Sequence, residues 1–192
     1  MNQTELLYDL FSDPQEGMKN YLEYGKSFLF SLAIFLMGIL SQTISSLIIN
    51  GSLSQGAVPI VVFGLFTKIF IYFLFWIFLA SIYHFICSYK KYDGNILNLF
   101  LLLGVSFLPY LLLPSGAIIS EVITPNNNFI YYIMYIITFI WSTRLQLQSM
   151  NIVYNIPISK SLWIFFTPFL IFVVFFILLT TFFIVSIISL FL

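Results

Sequence analysis

Residues 68–87 read KIFIYFLFWIFLASIYHFIC. Lys68 and His84 are the only basic side chains in this stretch, and it contains no acid. A helix of about 20 residues rises roughly 30 Å, which is the thickness of a bilayer's hydrocarbon core. The stretch therefore reads as one membrane crossing.

Four further segments have the same character. They lie at about 27–49, 95–113, 129–147 and within 162–192, where 169–190 is taken as the crossing. Composition supports the reading. Hydrophobic residues make up 61% of the 192 residues and charged residues 7%, against roughly a quarter charged in soluble domains. So few charges cannot coat a water-facing surface, and lipid is the expected solvent. The expected fold is all-α: a polytopic integral membrane bundle of five helices, residues 27–192, preceded by a tail, residues 1–26.

Two apolar runs exceed one straight crossing. Residues 57–87 would make a helix of roughly 46 Å. Pro59 and Gly64 punctuate its first part, which suggests a separate turn or an interfacial or re-entrant element over residues 51–66. A six-element arrangement is the alternative. In residues 162–192, Pro168 marks a kink or the true start of the crossing. Pro109 is expected to kink the third span.

Lysine and arginine set the expected orientation. Lys19 and Lys26 precede the first span, Lys90 and Lys91 follow the second, and Arg144 and Lys160 bracket the link after the fourth. The links near 50–57 and 120–128 hold neither residue. Basic residues thus fall on alternate links, predicting a cytoplasmic N-terminus, an outside C-terminus and an odd number of spans. Lys68, at the outer end of its span, is the exception, and its stem is expected to snorkel. No A-x-A-like site follows the first apolar run, so no cleaved signal peptide is expected.

In the tail, Leu6, Leu7, Leu10 and Phe11 share one face of a short helix. Asp13-Pro14-Gln15-Glu16 reads as a helix start, with Asp13 as the cap. This amphipathic face either lies on the membrane or docks a cytoplasmic partner. With it, Lys90, Lys91 and Asp93 on the next cytoplasmic link form the candidate partner contacts.

Catalytic chemistry has little support. One histidine and one cysteine exclude a multi-histidine metal site, a cysteine cluster and an intrachain disulfide. Gly104-Val105-Ser106 has the G-x-S form of intramembrane serine proteases, with His84 as the only base. Helical rise separates the two in depth by roughly 10 Å, too far for proton transfer. No catalytic, cofactor or metal residues are assigned, and no cofactor is expected. Zero net charge argues against nucleic acid. Ser41, Gln42 and Ser45 in the first span, and Arg144 near the end of the fourth, are the candidate polar groups of the bundle. Ser41 and Ser45 form a small-x-x-x-small pair suited to close helix approach. They serve as helix glue or as the lining of a path. Arg144 with Trp141 one turn earlier also reads as an interfacial anchor.

Several short motifs occur in a familiar order. Tyr92-Asp93-Gly94-Asn95 leads into Leu101-Leu102-Leu103-Gly104 and Ser106-Phe107-Leu108-Pro109. Trp141 opens a segment ending near Asn151. Ile158-Ser159-Lys160-Ser161 then leads into the apolar run containing Pro168, and Asp13-Pro14 precedes the first span. Taken together, the chain resembles the Yip family (Ypt- or Rab-interacting proteins). Its link carries Asp93-Gly94 where the family often has two glycines, and its tail is short, as in bacterial members. The resemblance implies a five-helix membrane protein with no established catalytic residues. It acts as a scaffold or as an accessory subunit, for membrane organisation or for an ABC-type exporter. Expected partners are membrane lipid and other membrane proteins, and a homo-oligomer is compatible with this reading. Rab binding by the eukaryotic members does not carry over to this chain. The competing function is a small channel or transporter.

Overall fold

The computed structural model describes residues 3–24, 26–50, 58–124 and 127–191. Eight α-helices and one 3₁₀ turn account for most of them, and the described residues contain no strand. The helices are α1 (Gln3–Ser12), α2 (Pro14–Tyr24), α3 (Phe28–Ile49), α4 (Val58–Tyr89), α5 (Ile96–Val105), α6 (Leu113–Ile123), α7 (Phe129–Tyr154) and α8 (Ile158–Phe191). Four segments are long and apolar enough to cross a membrane: Phe28–Ile49, Val61–Tyr89, Ile96–Ile123 and Ile158–Ile184. The chain is therefore a membrane protein. α7 has the length, but its tyrosines, Arg144 and glutamines dilute its hydropathy, and it is not among the four.

Polar caps set several boundaries. Ser27 accepts a hydrogen bond from the Phe30 amide at the start of α3, and Asn95 does the same for Leu97 at the start of α5. Asp13 Oδ1 accepts from the amides of Gln15 and Glu16 at 3.1 and 3.2 Å, the capping expected of the Asp13-Pro14 motif. Asn155 ends α7 in the left-handed region, φ 51°. Asparagine tolerates that conformation better than other residues with a Cβ.

Three elements depart from the expected boundaries. Residues 51–57 lie outside the described residues, so that part of the proposed 51–66 element has no structural account. From Val58 onward the backbone is one helix through to Tyr89. Pro59 does not break it because it is the second residue, where a missing N–H costs no helical bond. Gly64 lies within the same helix. The third span does not end near 113. α5 stops at Val105, a 3₁₀ turn covers Leu108–Leu112, and α6 continues to Ile123. Pro109 and Pro114 each sit in the first turn of a new helical piece, so the prolines divide the span without terminating it. In the last helix, Pro168 is interior rather than initial, and helical backbone begins ten residues earlier.

α5 is the centre of the main core, which draws on α1–α5, α7 and α8. Trp76 of α4 stacks on Phe100 with ring centroids 4.1 Å apart, and Phe35 of α3 lies 4.5 Å from Trp76. Tyr110, Leu113, Ala117 and Tyr131 form a second small core, with Ile48 and Ile49 packed on it. That cluster ties together the ends of α3, α6 and α7 farthest from the tail. α4 and α8 pack differently. α8 buries Ser161 and Ile164 and half-buries Phe165, whereas nearly every described side chain from Phe166 to Ile184 is exposed.

Candidate functional site

The polar side chains of the spans mostly make bonds within the bundle, and α5 receives many of them. Ser31 of α3 donates to the Leu101 carbonyl at 2.6 Å. The Trp76 indole N–H donates to the Phe100 carbonyl at 2.9 Å. Ser142 of α7 donates to the Ser106 carbonyl at 2.8 Å, where α5 has just ended. A broken helix frees carbonyls, and hydroxyls from neighbouring helices satisfy them. Gly104 makes the approach possible: a Cβ there would collide with Ser31 Oγ and the Trp76 ring.

Beside this seam, a cleft of about 200 Å³ opens between α4 and α7. Tyr72, Phe75 and Leu79 form one wall, and Tyr135, Phe139 and Thr143 the other. Gln42, Leu103 and Phe107 lie at its base, and Phe169 of α8 at its tail-side end. Gln42, predicted as a bundle group, is buried here. Ser45 is buried and donates to the Ser41 carbonyl at 2.6 Å, so that pair bonds within α3. Arg144 is exposed and stands outside the bundle interior.

One helical turn from Tyr72, Lys68 is half-buried. Its Nζ donates to Thr43 Oγ1 at 3.3 Å and sits 5.8 Å from the centre of the Tyr72 ring. Among the described residues, no carboxylate pairs with it.

The predicted partner contacts separate into two groups. Leu6 and Leu10 are buried in the chain's own core, Leu7 packs against that core, and Phe11 meets Trp141 edge-on at 6.1 Å. This face is therefore turned inward. α1 and α2 form a helical hairpin packed on α7 through buried Met18, whose sulfur lies 3.9 Å from the Ser149 hydroxyl, which donates to the Leu145 carbonyl at 2.8 Å. Tyr21 ties α2 to the start of α3, donating to the Ser27 carbonyl at 2.6 Å. Burial pushes its phenol up to about 12, against the smaller opposing effect of that bond. Lys90, Lys91 and Asp93 are exposed on the α4–α5 link. The link is shaped by Lys91 in the left-handed region, φ 61°, and by the Tyr92 amide donating to the Cys87 carbonyl at 2.9 Å.

Sequence reasoning missed a junction at the tail-side end of the bundle. His84 Nδ1 lies 2.7 Å from the Tyr154 hydroxyl, and Ser88 lies 3.5 Å from the other ring nitrogen. Tyr154 packs against Gly94, where a Cβ would overlap its ring. His84 and Gly94 stand out in the sequence, but nothing in their spacing shows that Tyr154 meets both. Ser106 donates to the Leu103 carbonyl at 2.6 Å. His84 and Ser106 therefore spend their hydrogen bonds on different partners. Among the described residues no group of three or more His, Cys, Asp or Glu side chains is placed to hold a metal.

Comparison with protein-family models, curated proteins and solved structures finds no match.

Proposed function

We propose that the chain is a non-enzymatic integral membrane protein of the Yip-like type. It acts as a scaffold or accessory subunit for partners in or beside the bilayer, in membrane organisation or beside an ABC-type exporter. The observation that carries this reading is α8. It joins the bundle through its first two turns and then presents apolar side chains on every side from Phe166 to Ile184. Ser31, Trp76 and Ser142 spend their hydrogen bonds on holding neighbouring helices together. The exposed charged link at Lys90, Lys91 and Asp93 is the contact we assign to a cytoplasmic partner. The tail hairpin helps to form this end of the molecule and does not itself dock the partner.

In this reading α7 is the fifth span, the N-terminus is cytoplasmic and the C-terminus is outside. α8 is roughly 51 Å long, more than a bilayer core requires, so the piece before Pro168 lies at the cytoplasmic interface. Gentle purification of the tagged chain from its native membrane, followed by mass spectrometry, tests the role. A stoichiometric partner whose recovery falls when Lys90, Lys91 and Asp93 are replaced by alanine is expected. A partnerless chain that performs its full activity alone in liposomes contradicts it.

A small channel or transporter is the second reading, favoured by the cleft between α4 and α7. It requires solute flux in liposomes that Thr143→Trp abolishes. Flux equal to that of empty vesicles removes it.

A further inference from the structure

The position and surroundings of Lys68 ask for an anion. A cation in an apolar setting needs a counter-charge or a route to water. Lys68 is half-buried, and no carboxylate among the described residues answers it. Thr43 Oγ1 takes one of its three donors, and the Tyr72 ring flanks it. Its head is therefore held in place, with two donors left for an acceptor outside the protein. Snorkelling alone explains a lysine whose stem lies free on lipid. It does not explain one anchored to a neighbouring helix at the mouth of a cleft.

The cleft supplies the other half of the argument. It runs along α4 from Tyr72 to Leu79, about 10 Å by helical rise, directly below Lys68 in the direction of the tail. Its walls are Phe75, Leu79 and Phe139, with Phe169 at the far end. Gln42, Tyr72, Tyr110 and Tyr135 bring polar atoms to the cleft, and Ser142, Thr143 and Gln146 add more farther along α7. A cation held one turn from Tyr72, beside a cleft with aromatic and leucine side chains along one wall and a row of hydroxyl and amide groups along the other, matches an amphiphile with an acidic head.

We propose that the cleft between α4 and α7 binds an anionic phospholipid, with its headgroup phosphate on Lys68 and one acyl chain lying along Phe75, Leu79 and Phe139. The site belongs to the leaflet opposite the tail. Lys68 is the one basic residue there among the described residues, whereas the other lysines and Arg144 lie toward the tail-side ends of their segments. This binding concerns the purified chain alone and does not depend on any protein partner.

The test is native mass spectrometry of the full chain in nonionic detergent, titrated with phosphatidylglycerol or with phosphatidylcholine of the same chains. The wild type and Lys68→Arg should retain phosphatidylglycerol preferentially. Lys68→Met and Lys68→Gln should lose at least about fivefold of that preference. Thr143→Trp, which fills the cleft wall and leaves the charge in place, should weaken both lipids together. Equal phosphatidylglycerol retention by wild type and both neutral variants overturns the proposal. Complete displacement by glycerophosphoglycerol, which has the headgroup and no chains, also overturns it, because the site would then be one for free anions.

Discussion

Gly104 is where helix packing leaves least room, since Ser31 and Trp76 both occupy the space a side chain would need. Gly104→Ala forces these groups apart and should cost about 1–3 kcal/mol. Ser31→Ala and Ser142→Ala each remove one interhelical bond, worth about 0.6 kcal/mol on average in a membrane. Reversible unfolding in mixed micelles should therefore rank the glycine variant well below either serine variant. Equal losses would show that hydrogen bonding, not close packing, dominates the seam. The glycine was visible in sequence only as part of a motif. Its reason was not, because nothing local to α5 reveals that an indole from α4 and a hydroxyl from α3 converge on it. Tyr21 makes a separate prediction at this scale. Its folded-state pKa is raised above the ordinary value near 10 to about 12. The stability it contributes is therefore complete below about pH 10 and is lost as pH rises toward 12, because the undocked tail ionises first. Phe11 meets Trp141, so Trp141 emission should report undocking over that range. The difference between wild type and Tyr21→Phe isolates this residue's share. Identical curves for the two would contradict the assignment.

Among the elements, the tail hairpin and the divided third span show where local pattern was and was not enough. Leu6 and Leu10 of the amphipathic pattern are buried against the chain itself, Leu7 packs beside them and Phe11 stays partly exposed. What covers that face depended on α2 and α7, which periodicity within α1 cannot identify. Because the face is covered by the chain itself, Leu10→Ala should destabilise the docked tail by about 2–5 kcal/mol. Limited proteolysis should then cleave near Lys19 and Lys26 much faster than in wild type, and an unchanged rate would mean the hairpin is not held by this contact. The prolines were over-read in one way and under-read in another. Pro59, Pro109 and Pro114 all occupy first turns of helical pieces. A proline seen in sequence signals a boundary or a kink, but only the placement of the preceding residues shows that the chain resumes as helix straight after it.

For the whole molecule, composition carried most of the information. A chain with 7% charged residues cannot present a water-coated surface, and four apolar helices of sufficient length agree. The candidate site was less legible. Lys68 stood out as an exception to the charge pattern, but Thr43 lies 25 positions earlier and the cleft's second wall more than 60 positions later. Sequence spacing holds no trace of that convergence. The fifth span is the central architectural proposal, because α7, which carries Arg144, is not among the four helices apolar enough to cross a membrane. Glu121 and Ser159 are both exposed, and α7 is the helix between them. In a Cys87→Ala background, single cysteines at these two positions can be tested with a membrane-impermeant maleimide on intact cells. Labelling of Glu121→Cys from outside, with Ser159→Cys labelled only after permeabilisation, is the predicted result. Labelling of both positions from the same side would mean α7 does not cross, and would contradict the five-span account.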